Sequence, residues 1–190
     1  YHSCPGKSNY VYCDVSDEDM VCGLINRVEP DVIINATAYA NVDKCETERE
    51  VCWTLNVKAL EYISQNFNGR IVHFSTDYVF DGTKDLYNED DIPNPLNFYG
   101  ISKLCGEEVL LGRDSRKSLI VRTTGVYGRE MGKKNFVYKV LNTVGEGKEL
   151  MVPVDQIGCP TYAPNLAFVV RQLVEQELYG IVNVNGSSRL

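Results

Sequence analysis

Three apolar runs constrain this chain more than any other feature: DVIINA (31–36), RIVHFST (70–76) and SLIVRTT (118–124). Each is short and continuous, as expected of a strand covered on both faces. Segments with helical spacing separate them. Parallel strands need a crossover between them, usually a helix, so the alternation predicts an α/β fold. That fold is a doubly wound, mostly parallel sheet with helices on both faces.

The remaining segments extend the pattern. NYVYCDV (9–15), ELMV (149–152) and GIVNVNG (180–186) read as further strands. A helix starts at Ser16, with Asp19 three residues on, and runs to about Val28, where Pro30 ends it. Helices are also expected over 45–67, 95–112, 135–147 and 163–176, several with a glycine exit or a proline near the start. The stretch 81–94, rich in Asp, Asn and Pro, reads as a loop.

Composition narrows the function classes. With 190 residues the chain suffices for one domain with a real core, and its 44% hydrophobic and 24% charged residues are ordinary for a globular protein. A net charge of −7 and no Lys/Arg run argue against nucleic acid as a partner. No stretch nears the ~20 apolar residues that span a bilayer, and the first ten residues lack a signal-peptide core. The seven cysteines form no C-x-x-C pair and there are only two histidines, so no metal site is expected. Free thiols, mostly small core residues, in a reducing cytoplasm are the reading.

Tyr99 and Lys103 stand four apart on the expected helix 95–112 and share one face. A lysine cation beside a phenol favours the phenolate and brings its pKa toward the range of a general acid. The pair alone is a weak pattern, and a surface tyrosine with a Lys103–Glu107 ion pair explains it equally simply. About twenty residues upstream, however, STDYVFDG (75–82) stands at the carboxyl end of a strand, where open α/β sheets bind ligands. A Ser or Thr hydroxyl there can hydrogen-bond a substrate carbonyl while Tyr99 protonates it.

This Thr–Tyr–Lys arrangement resembles that of the short-chain dehydrogenases/reductases. STDYVFDG followed by PLNFYGISKLCGE resembles their extended, nucleotide-sugar branch. PDVIINATAYANVDKCE (30–46), RTTGVYG (122–128), KNFV (134–137) and VDQIGCPTYAPNLA (154–167) occur in the order found in the dTDP-4-dehydrorhamnose reductase family. The resemblance covers essentially the whole chain and implies a single NAD(P)-binding, Rossmann-like domain. The expected activity is NADPH-dependent reduction of a 4-keto-6-deoxy-sugar nucleotide, dTDP-4-dehydro-L-rhamnose to dTDP-L-rhamnose first among them.

The resemblance also implies residue roles. Thr76 would polarise the C4 carbonyl, Tyr99 would donate the proton, and Lys103 would lower the Tyr99 pKa and bind the nicotinamide ribose. Asn35, Ala36, Thr37 and Tyr39 would line the cofactor, with Asp14 near the adenine. Val42, Asp43, Asp77, Gln156 and Thr161 would lie toward the sugar nucleotide. For Asp14 and Asn35 a capping or turn role competes, and for Asp77 a loop-closing hydrogen bond. The family carries a Trp where this chain has Gly125, which reshapes the sugar pocket. No metal is expected, since the glutamates of an inter-subunit metal find no match, and a homodimer is one assembly open to the chain.

Two alternatives stay open. One is a nucleotide-sugar epimerase or dehydratase of the same superfamily. The other is a non-catalytic regulatory subunit like that of methionine adenosyltransferase. No G-x-x-G-x-x-G loop occurs, so the expected fold is truncated at both ends: it lacks its N-terminal Gly-rich βαβ portion and the C-terminal part of the substrate lobe. In the order 3-2-1-4-5-6 this leaves strand 11–15 without its neighbour. Ser3 and Lys7, with no acidic residue beside them, favour a 2′-phosphate and hence NADPH, with NADH second.

Overall fold

The computed structural model describes residues 10–129, 135–152 and 155–189. Ser3, Lys7, Cys4 and Lys134 lie outside them, as does Val154. The described residues divide into two compact units: one of residues 11–122 with 177–183, the other of the described residues within 123–176 and 184–189 together with Tyr10.

The larger unit is an α/β sheet structure. Its strands are β1 (Val32–Asn35), β2 (Arg70–Thr76), β3 (Ser118–Thr123, ending at the unit boundary) and one later strand, Gly180–Asn183. They lie in that order, the first pair and the last pair parallel. This is the Rossmann-like parallel arrangement expected. β2 and β3 are the buried centre: Ile71, Val72, Leu119, Ile120 and Val121 are fully enclosed.

The helices are α1 (Glu18–Val28), α2 (Val42–Thr47), α3 (Arg49–Trp53), a π-helical turn (Thr54–Lys58), α4 (Ala59–Asn66) and α5 (Phe98–Leu111). Val21 of α1, Leu60, Ile63 and Phe67 of α4 and its exit, and Leu110 of α5 close over Ile71 and Ile120 to form the core. Loop 81–94 folds around Asp81, whose carboxylate accepts from Thr83, Tyr87 and Asn94. These bonds hold its carboxyl well below the usual range.

Several expectations are corrected. Residues 10–15 form no strand: among the described residues β1 is the edge of the sheet, and strand composition alone does not make a strand. On that edge Ile34 is exposed rather than buried. The N-cap of α1 is Asp17, accepting from Met20 N–H (3.1 Å), because Ser16 is already bonded to Asp14. The helix expected over 45–67 is broken at Glu48 and wound into a π-turn at Thr54–Lys58. Of the described cysteines only Cys45 and Cys52 are buried.

The smaller unit has β4 (Val126–Tyr127) paired in parallel with β5 (Thr161–Tyr162), then α6 (Phe136–Gly145) and α7 (Ala163–Glu175). Residues 149–152 form no strand, and Met151 and Val152 are exposed. The strand Gly180–Asn183 is β6.

Candidate active site

β2 delivers Thr76 to the carboxyl edge of the sheet, where the chain turns into a 3-10 turn over Asp77–Val79. The Thr76 hydroxyl accepts from Tyr78 N–H (3.2 Å) and donates to Asp77 Oδ1 (3.1 Å). The Thr76 side chain also acts on the Tyr99 phenol, in the direction that favours its ionised form. The Asp77 carboxylate thus accepts from its immediate neighbour.

α5 brings Tyr99 and Lys103 to this edge. Asn97 caps it through Gly100 N–H (2.8 Å), and Glu46 accepts from Phe98 N–H (2.7 Å). Gly100 permits a close approach: a Cβ there would lie 2.2 Å from the Tyr78 carbonyl oxygen. Tyr78 meets the Tyr99 ring edge-on at 5.6 Å.

Lys103 is 2% exposed. Its Nζ donates to Phe74 O (2.7 Å) and lies 3.0 Å from His73 Nε2. Burial pulls its pKa down to about 8, against the opposing pull of Glu107 and Cys52. The surface-pair explanation thus fails. Glu107 is fully buried and pairs with Arg122 (2.6 Å), while Ser75 donates to it (2.5 Å).

The expected effect of Lys103 on Tyr99 is also corrected. Burial pushes the Tyr99 phenol up to about 12, outweighing the opposing bond from Thr76. The Lys103 hydrogen bonds go to Phe74 and His73 instead. A phenol with this pKa keeps its proton at neutral pH, which is the form a proton donor needs.

A buried relay ties α5 to the β1 exit loop. Asn56, on the π-turn, accepts from Tyr39 N–H (2.7 Å) and donates to Ser102 Oγ (2.8 Å), and Ser102 donates to Tyr99 O (2.7 Å). π-turns inside helices often mark functional sites. A Cβ at Gly106 would lie 2.7 Å from Asn56 O, so this glycine lets α5 close on the turn. Asn56, Ser102 and His73 were not picked out in the sequence. The signal was there: Asn56 and His73 are polar residues inside otherwise apolar runs.

The other candidates fall into three places. Asn35 is buried and its Oδ1 accepts from Thr37 N–H (3.1 Å) and Thr37 Oγ1 (2.6 Å), the turn role weighed for it. Ala36 and Thr37 are exposed beyond β1, and the Tyr39 phenol donates to Glu48, which pushes its pKa up to about 12. Val42 and Asp43 open α2 behind the cap Asn41. Asp14 accepts twice from Ser16 through Oδ1 and lines a hollow of about 410 Å³ with Ser16, Glu50, Val51, Thr54 and Leu55. Gln156 and Thr161 belong to the smaller unit. Gln156 is exposed, and the Thr161 hydroxyl is engaged by Cys159 O and Gly186 N–H. Gly125, in the same unit, has φ of 51°, the left-handed region that costs a bulky side chain strain.

A parallel α/β sheet that gathers a hydroxyl, a protonated phenol and a buried lysine at its carboxyl edge defines the class: a short-chain dehydrogenase/reductase fold. The chain belongs to the family of the RmlD substrate binding domain, whose model matches residues 3–186. It is 43% identical to dTDP-4-dehydrorhamnose reductase of Aggregatibacter actinomycetemcomitans over 171 residues, 88% of this chain and 57% of that one. It is 36% identical to methionine adenosyltransferase 2 subunit beta of Danio rerio over 172 residues, 89% and 53% of the two chains. The crystal structure of dTDP-4-dehydrorhamnose reductase from Bacillus anthracis in complex with NADP superposes with a TM-score of 0.88. That match has 32% identity and covers 93% of this chain and 63% of that one. The chain thus spans less than two thirds of these relatives' lengths.

Proposed function

We propose that the whole protein reduces a 4-keto-6-deoxy-sugar nucleotide with NADPH, dTDP-4-dehydro-L-rhamnose to dTDP-L-rhamnose being the leading case. The observation that carries this is the Thr76–Tyr99–Lys103 cluster in a chain of this family. The donor set fits a dinucleotide. Asp14 Oδ1 takes both Ser16 bonds, which leaves Oδ2 to accept from an adenine amine beside the hollow. The exposed backbone of Ala36 and Thr37 flanks the β1 exit, and Lys103 supplies a cation for ribose hydroxyls. When bound, NADPH supplies hydride to the sugar C4.

The chain's own residues do the rest. Thr76 turns its hydroxyl proton from Asp77 to the C4 oxygen, which localises charge there. Tyr99, protonated at neutral pH, donates its proton to that oxygen as it becomes an alkoxide. Lys103, held by Phe74 O and His73, serves the cofactor ribose. Val42, Asp43 and Asp77, in the same unit as the cluster, are assigned to the sugar nucleotide. A cytoplasmic setting accompanies this reading. Among the described residues no helix is long and apolar enough to cross a membrane.

The test is incubation of the whole protein with NADPH and a panel of 4-keto sugar nucleotides while following absorbance of the reduced cofactor. Oxidation with a dTDP-linked 4-keto-6-deoxy sugar supports the reading, and none with any member of the panel refutes it. A second reading, a regulatory partner-binding subunit, is favoured by the 36% identity to the Danio rerio protein. Capture of a methionine adenosyltransferase catalytic subunit by a protein inert in the NADPH assay would establish it.

A further inference from the structure

His73 is 1% exposed in the middle of β2, and the proposed chemistry does not use it. Its Nε2 is 3.0 Å from Lys103 Nζ and its Nδ1 is 3.2 Å from Asn35 Nδ2. Asn35 Oδ1 is committed to the Thr37 turn by two hydrogen bonds. The imidazole therefore bridges two sites: the lysine under the phenol, and the turn at the exit of β1.

Hydrogen-bond accounting restricts this bridge. Burial holds His73 well below its ordinary pKa, so the ring is neutral, with one N–H and one acceptor. With Asn35 Nδ2 donating to Nδ1, the ring proton is on Nε2 and faces Lys103, which accepts it only as a neutral amine. With Lys103 as an ammonium donating to Nε2, the ring proton moves to Nδ1 and needs Asn35 Oδ1 as its acceptor. The carboxamide must then turn, and the Thr37 bonds change. Carboxamide and imidazole orientations follow from such networks. The charge on Lys103 and the shape of the Asn35–Thr37 turn are therefore linked through one ring.

We propose that His73 is a positioning residue for the reduction: it fixes the place and charge of Lys103 and couples both to the Asn35–Thr37 turn. The inference rests on the reductase reading, which assigns Lys103 and the turn to the cofactor. Glu107 on α5 and Cys52 on α3 also bias the Lys103 charge, and Lys103 is the charged group that bears on His73. Both biasing groups stay in place when only His73 is changed.

The test compares His73→Gln with His73→Asn in the whole protein, each checked for folding by a thermal melt. The Gln carboxamide reaches the position of Nε2 and keeps a partner for Lys103. The Asn carboxamide reaches only the position of Nδ1 and leaves Lys103 with Phe74 O alone. One readout needs neither substrate nor cofactor: titration of the lysine side-chain NMR signal that Lys103→Met removes. The Lys103 midpoint is expected to move by about 0.5 pH or more in His73→Asn and to stay near the wild-type value in His73→Gln.

The second readout is the pH profile of kcat with NADPH and the 4-keto sugar. His73→Asn is expected to lose about 10-fold or more in kcat with a displaced profile, and His73→Gln to stay within about 3-fold. A Lys103 midpoint unmoved in His73→Asn, or an unmoved kcat profile in an active enzyme, overturns the inference. A wild type without turnover whose Lys103 midpoint still moves in His73→Asn sinks the reductase reading and leaves the coupling standing.

Discussion

Lys103→Met tests how much the fold gives up to keep a cation under Tyr99. The methionine keeps most of the stem's packing and removes the charge. In the folded chain the Lys103 pKa falls from 10.5 to about 8, a displacement of about 2.5 and hence about 3 kcal/mol at ~1.36 kcal/mol each. The sign follows from proton binding. Between pH 8 and 10.5 the unfolded chain holds this proton and the folded chain has released it, so wild-type stability gains with rising pH. Below pH 8 the folded chain carries the whole burden. The variant has no such dependence. Leaving Phe74 O without its donor and His73 without its partner costs ~1–3 kcal/mol at every pH, which cancels from the slope. Urea unfolding of both proteins from about pH 7 to pH 10.5 gives the difference, wild type minus variant. It is expected to climb by about 3 kcal/mol. A difference constant to within about 0.5 kcal/mol would refute the claim that a buried charge sits at Lys103.

Tyr99→Phe removes the donor and keeps the ring against Tyr78, so kcat is expected to fall about 10²-fold or more with little change in melting temperature. Near-normal turnover removes Tyr99 from the mechanism. Arg122→Met leaves the fully buried Glu107 without its cation and is expected to cost about 3–5 kcal/mol in urea unfolding. An unchanged midpoint there means Glu107 finds its charge elsewhere. Gly100→Ala drives a methyl into Tyr78 O, so α5 must shift. A loss of about 1–3 kcal/mol together with reduced kcat is expected, and a fully active variant shows that the close approach does not position Tyr99.

Much of the fold was legible because its signals are local. RIVHFST marks β2 to the residue, and the pairing of Tyr99 with Lys103 on one helix follows from their spacing. What spacing cannot show is what another element presents to that face. Glu107 sits one turn from Lys103, yet its partner is Arg122 from β3, while Lys103 is drawn to Phe74 and His73 on β2. Hence the effect of Lys103 on Tyr99 was misjudged: burial, a tertiary quantity, dominates both groups. The π-turn at Thr54–Lys58 escaped notice because Gly106, fifty residues on, is what lets α5 close on it. Residues 10–15 have strand composition but no neighbouring ladder, and propensity alone does not make a strand.

The central claim is that hydride from NADPH ends on the sugar C4 while Tyr99 protonates its oxygen. Carrying out the reaction with NADPH deuterated at the transferring C4 position, and locating the label in the product by NMR, tests this directly. The expected result is one deuterium at the sugar C4 with wild type and about 10²-fold slower labelling with Tyr99→Phe. Stereochemical change at the sugar without deuterium uptake, or consumption of substrate with the label retained on the cofactor, would contradict it and point to an epimerase or dehydratase.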